Sequence, residues 1–138
     1  MPALVIDSSV ALAWCFPDER SETLVTIEQQ VASSGAVVPG HWHLEIANIV
    51  MMAVRRGRVT EQQRGGYLQA LSGLPIAIGA ETSARAWQDT LWLADAHRLT
   101  VYDAAYLELA IRRGFPLATL DSDLGKAAEG EGLTVLGT

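Results

Sequence analysis

Short apolar segments without polar alternation recur along the chain and predict buried strands. The first, at residues 3–6, ends directly in Asp7, and similar segments lie at residues 36–39, 75–78, 116–120 and 133–136. A continuous apolar run is typical of a strand covered on both faces, which is the usual state of strands in a parallel sheet. We therefore expect these segments to form one largely parallel sheet.

Segments with helical periodicity separate the predicted strands. They cover residues 10–16, 19–34, 41–56, a helix beginning near residue 60, 81–98, 102–113 and 122–130. Ser8 or Ser9 is predicted to cap the first helix, and Thr60 with Gln63 is predicted to form a capping box. Strands that alternate with helices imply parallel pairing through right-handed crossovers.

Two of the helices carry apolar stripes that are predicted to face the core. In helix 41–56 the stripe consists of Leu44, Ala47, Val50, Met51 and Val54. In helix 81–98 the inward-facing residues are predicted to be Trp87, Leu91 and Ala94, with Trp92 as a further candidate.

The order of elements predicts an α/β fold, a three-layer α/β/α sandwich with a central, mainly parallel sheet. A chain of 138 residues is long enough for one domain with a sizeable core. We therefore predict a single domain over residues 1–138.

The composition is that of a globular protein, with 49% hydrophobic and 19% charged residues. The single cysteine, Cys15, leaves no internal disulfide and no cysteine-based metal site, and it suits a reducing cytosol. The amino terminus lacks a targeting pattern, and the longest apolar stretch, residues 49–54, is too short to cross a bilayer. We expect a cytoplasmic protein with no membrane partner.

Carboxylates follow the predicted strands at one edge of the sheet. Asp7 ends the first strand, Asp121 ends the fourth, and Asp103 opens the helix before the fourth. Ligands of parallel sheets bind at this edge, and carboxylates crowded there repel each other unless a cation holds them. All-oxygen ligands favour Mg²⁺ or Mn²⁺. Each Asp is also a good helix cap, so a purely structural role remains an alternative.

Three further polar residues lie close to these positions in the sequence. Glu45 shares one edge of its helix with Asn48, three residues later, although a solvent-exposed Glu is the simpler interpretation. Asp123 follows Asp121 by two residues and could also serve as a helix cap. The net charge of −6 argues against a general nucleic-acid coat. It is compatible with a nucleic-acid enzyme whose carboxylates are concentrated where metal ions neutralise them.

Four stretches of the chain together resemble the PIN-domain family, specifically the VapC-type toxins of type II toxin–antitoxin pairs. They are residues 5–14 (VIDSSVALAW), 43–48 (HLEIAN), 100–110 (TVYDAAYLELA) and 117–124 (LATLDSDL), which occur in the family's order and span nearly the whole chain. The resemblance implies a metal-dependent endoribonuclease acting on structured RNA with Mg²⁺, or Mn²⁺, as cofactor. It also implies a homodimer and inhibition by a cognate VapB-type antitoxin.

The resemblance also implies roles for individual residues. The catalytic quartet would be Asp7, Glu45, Asp103 and Asp121. The metal ligands would be Asp7, Asp103, Asp121 and, as a variable member, Asp123. Ser9 and Thr119 match hydroxyl positions that support the site, and Asn48 matches a supporting amide.

Rival functions fit the pattern less well. A phosphoacceptor receiver domain needs an acidic pair after the first strand, where this chain has Ser8 and Ser9. A haloacid-dehalogenase-type phosphatase needs Asp-x-Asp there, and this chain has that pattern only at Asp121 and Asp123. The remaining alternative is a non-catalytic PIN-like domain that binds nucleic acid or a protein partner.

Other polar and aromatic residues receive structural interpretations. His41 and His43 lack partners at metal-ligand spacing and are interpreted as structural. Arginines near helix ends are interpreted as complementing the helix dipole rather than binding phosphates; they are Arg55, Arg56, Arg58, Arg112 and Arg113. Burial in the core or in a dimer interface is expected for Trp42, Trp87 and Trp92.

Overall fold

The computed structural model describes residues 3–138, so the first two residues of the predicted domain lie outside it. Its five strands form one sheet in the order β3-β2-β1-β4-β5, and every pairing is parallel. The strands are β1 Leu4–Ile6, β2 Ala36–Pro39, β3 Ile76–Gly79, β4 Leu117–Ala118 and β5 Val135–Leu136. The predicted parallel sheet is confirmed.

Helices connect the strands and complete the predicted three-layer α/β/α sandwich. They are α1 Ser8–Cys15, α2 Glu22–Ser34, α3 Trp42–Arg55, α4 Glu61–Ser72, α5 Thr82–Arg85, α6 Leu91–His97, α7 Val101–Arg113 and α8 Ser122–Gly130. A 3₁₀ turn at Pro17–Glu19 precedes α2, and a π-helical segment at Ala86–Thr90 joins α5 to α6. Within residues 3–138, every helix is too short or too polar to span a bilayer.

The sheet reverses its direction of growth between β1 and β4. From β1 the chain adds β2 and β3 on one side, and it then returns to add β4 and β5 on the other. The carboxyl ends of β1 and β4 are therefore the topological switch point, where α/β proteins form their ligand crevice. Ile6 pairs with Ala118 in the register, so Asp7 and Thr119 emerge side by side.

The core lies around β1 and α7. All three residues of β1 are fully buried, and seven consecutive residues of α7, from 104 to 110, are buried against the sheet. Because α7 is fixed along this length, the position of its first turn, which carries Asp103, is set by the core. The capping box predicted for Thr60 and Gln63 is present at the start of α4.

The predicted core stripe of α3 is wrong in part. The buried residues of this helix are Trp42, Ile46, Val50 and Ala53, whereas Leu44 is 74% exposed. Apolar residues surround most of this helix, so its sequence contains two apolar stripes with similar periodicity. The stripe that contains Trp42 is buried in the core, with α1 and α4 packed against this helix, and the stripe that contains Leu44 remains on the surface.

The predicted continuous helix over 81–98 is also wrong. The π-helical segment Ala86–Thr90 interrupts it, and the buried residues are Thr90, Leu93 and Ala94. A π turn contains an additional residue per turn and therefore shifts the face presented by the following helix. As a result Trp87 is 90% exposed and Trp92 is 64% exposed, instead of facing inward.

Two predicted helix starts are corrected as well. Asp7 itself is the N-cap of α1, which begins at Ser8, so neither Ser8 nor Ser9 has the capping role. Thr100 caps α7 and accepts a hydrogen bond from the amide of Asp103 at 3.1 Å. The capping alternative for Asp103 is therefore excluded, and its carboxylate remains available for another role.

Candidate active site

Asp7 is almost completely enclosed at the switch point. Its side chain is 5% exposed, and its Oδ1 accepts hydrogen bonds from the Ser9 hydroxyl at 2.6 Å and from the Val10 amide at 3.1 Å. Its Oδ2 accepts a hydrogen bond from Thr119 Oγ1. A carboxylate offers about four lone pairs, so Oδ2 keeps one lone pair for a further partner.

The hydroxyls of Ser9 and Thr119 hold two loops together around Asp7. The Ser9 oxygen also accepts a hydrogen bond from the amide of Leu120 at 3.0 Å, and the Thr119 oxygen accepts one from the amide of Asp121 at 3.0 Å. Each hydroxyl thus donates to the carboxylate and accepts from the turn after β4. Ser9 and Thr119 therefore both contact Asp7 directly.

Burial raises the pKa of Asp7 to about 6, against an ordinary value of 3.8. The hydrogen bonds from Ser9, Thr119 and Val10 favour the charged form and lower the pKa, but they only partly offset burial. The negative charge of Asp103 also raises the pKa of Asp7. Asp7 and Asp103 therefore lie near enough to repel each other.

Asp103 is the second carboxylate of the cluster. Partial burial raises its pKa above the ordinary value, and the charge of Asp121 raises the pKa further. The Thr100 hydroxyl and the charge of His41 act in the opposite direction. Asp103 thus repels both Asp7 and Asp121.

Asp121 joins the cluster from the N-cap position of α8. Its Oδ1 accepts hydrogen bonds from the amides of Asp123 and Leu124, at 2.9 and 3.0 Å. The capping alternative is therefore correct for Asp121, as it is for Asp7. Capping occupies only part of the carboxylate, so both residues remain able to bind a cation.

Glu45 is held from α7 by a residue that the sequence interpretation missed. The buried Tyr106 hydroxyl donates a hydrogen bond to Glu45 Oε1, and His41 Nε2 lies 3.5 Å from the same oxygen. Burial, followed by the hydrogen bond to Glu45, raises the pKa of Tyr106, so this hydroxyl stays protonated as a donor. Two sequence spacings could have indicated that these residues belong to the site. His41 precedes Glu45 by four residues, and Tyr106 follows Asp103 by three, so each shares a helix face with a candidate carboxylate.

Two predicted site residues lie outside this network. The exposed Asn48 lines a groove with Phe16, Met52 and Arg56 instead of contacting the carboxylates. Asp123 is exposed and lines a separate cavity with Arg98 and Lys126.

Most of the arginines near helix ends serve in ion pairs. Arg112 binds Glu108 and Glu81, with its nitrogens 2.9 and 3.0 Å from their carboxylates. Arg58 pairs with Glu19 at 2.8 Å and lies over the ring of Phe16. These pairs correct the interpretation that the two arginines only complement helix dipoles.

The donor set fits a hard divalent cation. All candidate ligands are carboxylate oxygens, which suit Mg²⁺ and Mn²⁺. Among residues 3–138, no three His, Cys, Asp or Glu side chains converge closely enough to hold an ion by themselves. Mg²⁺ keeps several waters and often binds through one or two carboxylates. The remaining lone pair of Asp7, together with Asp103 or Asp121, meets that requirement.

The comparison with family models decides the family. The model described as PIN domain matches residues 4–130, which is most of the chain. The chain belongs to the PIN-domain family. Its acidic crevice lies at the switch point of the parallel sheet.

Comparison with individual proteins places this PIN domain near a ribonuclease. It is 33% identical over 123 residues to Ribonuclease VapC3 of Pyrobaculum aerophilum, covering 89% of this chain and 92% of that protein. Two crystal structures share the fold. PAE2754 from Pyrobaculum aerophilum has a TM-score of 0.69 at 20% identity and covers 97% of this chain and 83% of its own. FitAcB from Neisseria gonorrhoeae has a TM-score of 0.66 at 15% identity, covering 96% of both chains.

Proposed function

We propose that this chain is a Mg²⁺- or Mn²⁺-dependent endoribonuclease that cleaves structured cellular RNA as the toxin of a toxin–antitoxin pair. The observation that carries the proposal is the coupling between Asp7 and Asp103. The negative charge of Asp103 raises the pKa of the buried Asp7 in the crevice where α/β folds bind ligands, and strongly perturbed pKa values are common at catalytic sites. The similarity to Ribonuclease VapC3 over most of both chains supports the substrate class.

Asp7, with Asp103 or Asp121 and bound waters, would hold the divalent ion, and Asp123 stays a further candidate ligand. When bound, the ion supplies charge stabilisation at the phosphodiester and a water of lowered pKa. Ser9 and Thr119 donate hydrogen bonds to Asp7, which favour its charged, ligating form. They also fix its orientation, as partners beyond the ligands of a metal site commonly do.

Glu45 would orient the attacking water. Tyr106 and His41 both approach Oε1 of this residue, so Oε2 remains free to accept a hydrogen bond from a water. A carboxylate fixed on one side and free on the other suits proton transfer during an in-line attack. Asn48 lies three residues from Glu45 on α3, and we retain it as a supporting residue by that position alone.

A VapB-type antitoxin is the proposed protein partner. In residues 3–138, no lysine or arginine forms an ion pair with Asp7, Asp103 or Asp121. A guanidinium can form a fork of two hydrogen bonds with a carboxylate. An antitoxin arginine in this crevice would therefore neutralise the charges that otherwise attract the divalent ion.

We also propose a homodimer. Trp87, Trp92 and Leu44 are large apolar side chains with most of their surface exposed. Aromatic residues dominate interface energetics because each can bury 150–250 Å² or so. A second copy of the chain is available to cover these side chains wherever the protein is present.

The decisive experiment measures cleavage of structured RNA by the purified chain with Mg²⁺, with Mn²⁺ and with EDTA. We expect cleavage only with a divalent ion, and a loss of about a hundredfold or more in Asp7→Asn and Asp103→Asn, equivalent to roughly 3 kcal/mol of transition-state stabilisation. Asp95→Asn is the matched control, because Asp95 is exposed. Absence of cleavage under every metal condition would favour a non-catalytic binding domain instead.

A further inference from the structure

A second polar cavity lies between the end of α6 and the outer face of α8. It has a volume of about 390 Å³ and is lined by His97, Arg98, Asp123, Lys126, Ala127 and Gly130. His97 Nε2 lies 3.5 Å from a carboxylate oxygen of Glu131, so an ion pair connects the two elements beside the cavity. The cavity walls are therefore fixed to each other.

Arg98 occupies a backbone position that glycine normally takes. It caps the end of α6 with φ +55°, and it is the only non-glycine residue with positive φ in the described chain. The corresponding position after α7 is Gly114, with φ +67°. Glycine adopts this conformation without steric cost, whereas an arginine here carries backbone strain, and such strain clusters at functional sites.

The guanidinium of Arg98 and the ammonium of Lys126 have no carboxylate within ion-pairing distance among residues 3–138. Both line the cavity, together with a single carboxylate, that of Asp123. A local excess of positive charge in a chain of net charge −6 favours an anionic ligand.

The cavity adjoins the acidic crevice at Asp123, which lines the cavity and whose amide donates a hydrogen bond to Asp121 Oδ1. Arg98 is two residues before Thr100, the cap that binds the amide of Asp103. Lys126 is on α8, whose N-cap is Asp121. Arg98 therefore precedes the helix start that carries Asp103, and Lys126 lies about one turn into the helix that Asp121 caps.

We propose that Arg98 and Lys126 bind a backbone phosphate of the RNA chain next to the phosphodiester that is cleaved. This inference rests on the proposed function. An acidic crevice repels a polyanion, so RNA must gain its affinity from cations outside the crevice. Contacts to phosphates fix the register of the nucleic acid without reading its sequence.

The test measures binding of a labelled RNA hairpin as a function of salt, in an Asp7→Asn background that prevents cleavage. Arg98→Gly removes the side chain and keeps the backbone conformation, and Lys126→Gln removes the second charge. We expect each variant to bind about tenfold more weakly and to lower the slope of log K against log salt by about one. Arg98→Lys and Lys126→Arg should restore most of the affinity.

Arg55→Gln is the matched control, because Arg55 is an exposed arginine outside the cavity. An equal loss in Arg55→Gln would overturn the proposal, since it would show a general effect of net charge. Unchanged slopes in both cavity variants would overturn it as well, as would failure of the parent protein to bind the hairpin. Weaker binding of an antitoxin with unchanged RNA binding would also overturn it, and would assign the cavity to an acidic protein segment.

Failure of this inference is distinguishable from failure of the proposed function. RNA binding that depends on Arg98 and Lys126, without cleavage by the wild type in any metal, would support the phosphate site and reject the nuclease. Metal-dependent cleavage, with RNA binding unaffected by replacement of Arg98 or Lys126, would support the nuclease and reject the phosphate site.

Discussion

Thr119 donates a 2.5 Å hydrogen bond to Oδ2 of Asp7, although 112 positions separate the two residues in the sequence. The same hydroxyl oxygen accepts the amide hydrogen of Asp121. One side chain thus connects the carboxylate after β1 with the carboxylate after β4. A hydroxyl is suited to this position because it donates and accepts at once.

The raised pKa of Asp7 predicts an unusual dependence of stability on pH in the metal-free protein. Because the folded state holds the proton more tightly than the unfolded chain, this group's stabilisation is complete below pH 3.8 and is lost as the pH rises to about 6. The loss amounts to about 3 kcal/mol. Asp7→Asn should therefore be more stable than the wild type at pH 7 in EDTA, by up to that amount, in urea denaturation.

The difference should disappear near pH 4, where Asp7 is protonated in the folded state. Asp95→Asn should follow the wild type at every pH, because Asp95 is exposed. A wild type that remains more stable than Asp7→Asn at pH 7 without metal would contradict the prediction.

Divalent metal should stabilise the folded chain through the clustered carboxylates. An ion that binds only the folded state at a hundred times its Kd adds about 2.7 kcal/mol, which corresponds to roughly 5–10 °C in Tm for a domain of this size. Calorimetry with Mg²⁺ or Mn²⁺ should show this shift for the wild type and for Asp95→Asn. Equal shifts in the double variant Asp7→Asn/Asp103→Asn would mean that these carboxylates share no metal site.

Tyr106→Phe should separate the orientation of Glu45 from the stability of the fold. The substitution removes the hydroxyl that binds Glu45 and keeps the ring in the core. We expect a loss of about 1 kcal/mol in unfolding free energy and a 10–100-fold lower rate of cleavage, about the usual cost of losing a supporting partner.

Tyr67→Phe provides the comparison, because the Tyr67 hydroxyl binds the carbonyl of Ala11 and no carboxylate of the site. It should lose similar stability in denaturation and retain full cleavage. Equal rates of RNA cleavage by the two variants would show that the Tyr106 hydroxyl does not support the site.

Trp87→Glu should dissociate the proposed homodimer. The Trp87 side chain is 90% exposed in the single chain. Its burial in a dimer interface would make it a hot spot, and replacing a hot-spot residue costs about 2 kcal/mol or more of binding free energy. Light scattering after size exclusion should show a dimer for the wild type and a monomer for the variant. Val25→Glu, a substitution on the surface of α2, should remain dimeric; a monomeric wild type would refute the proposal.

The antitoxin should be a small protein encoded beside this chain, with a DNA-binding amino-terminal half and a carboxyl-terminal half that wraps this chain. Its arginine near Asp7, Glu45 and Asp103 should block cleavage, and co-expression should relieve growth arrest. Replacing that arginine by Ala should weaken the relief without abolishing binding measured by calorimetry. A purified pair that cleaves RNA as fast as the free chain would show that inhibition works differently.

Local sequence predicted much of the fold because its signals do not depend on distant residues. The apolar runs before Asp7 and Asp121 mark buried parallel strands, and Thr60 with Gln63 forms the expected capping box. The prediction of the buried helix face failed where the local sequence was compatible with more than one face. In α3 either apolar stripe could have faced the core, and in the segment after Glu81 the π turn at Ala86–Thr90 rotated the face that carries Trp87.

By itself, the sequence predicted that Asp7 and Asp121 lie at one edge of the sheet, because parallel strands place their carboxyl ends together. Asp103 reaches that edge from the first turn of α7, and its charge raises the pKa of Asp7. Only the tertiary structure decided the protonation of Asp7 and the contacts that hold Glu45 in place. Burial sets the pKa of Asp7, and the contact of Tyr106 with Glu45 spans 61 positions. Such contacts depend on how α3 and α7 are placed relative to each other in the fold, and no periodicity within either helix specifies that placement.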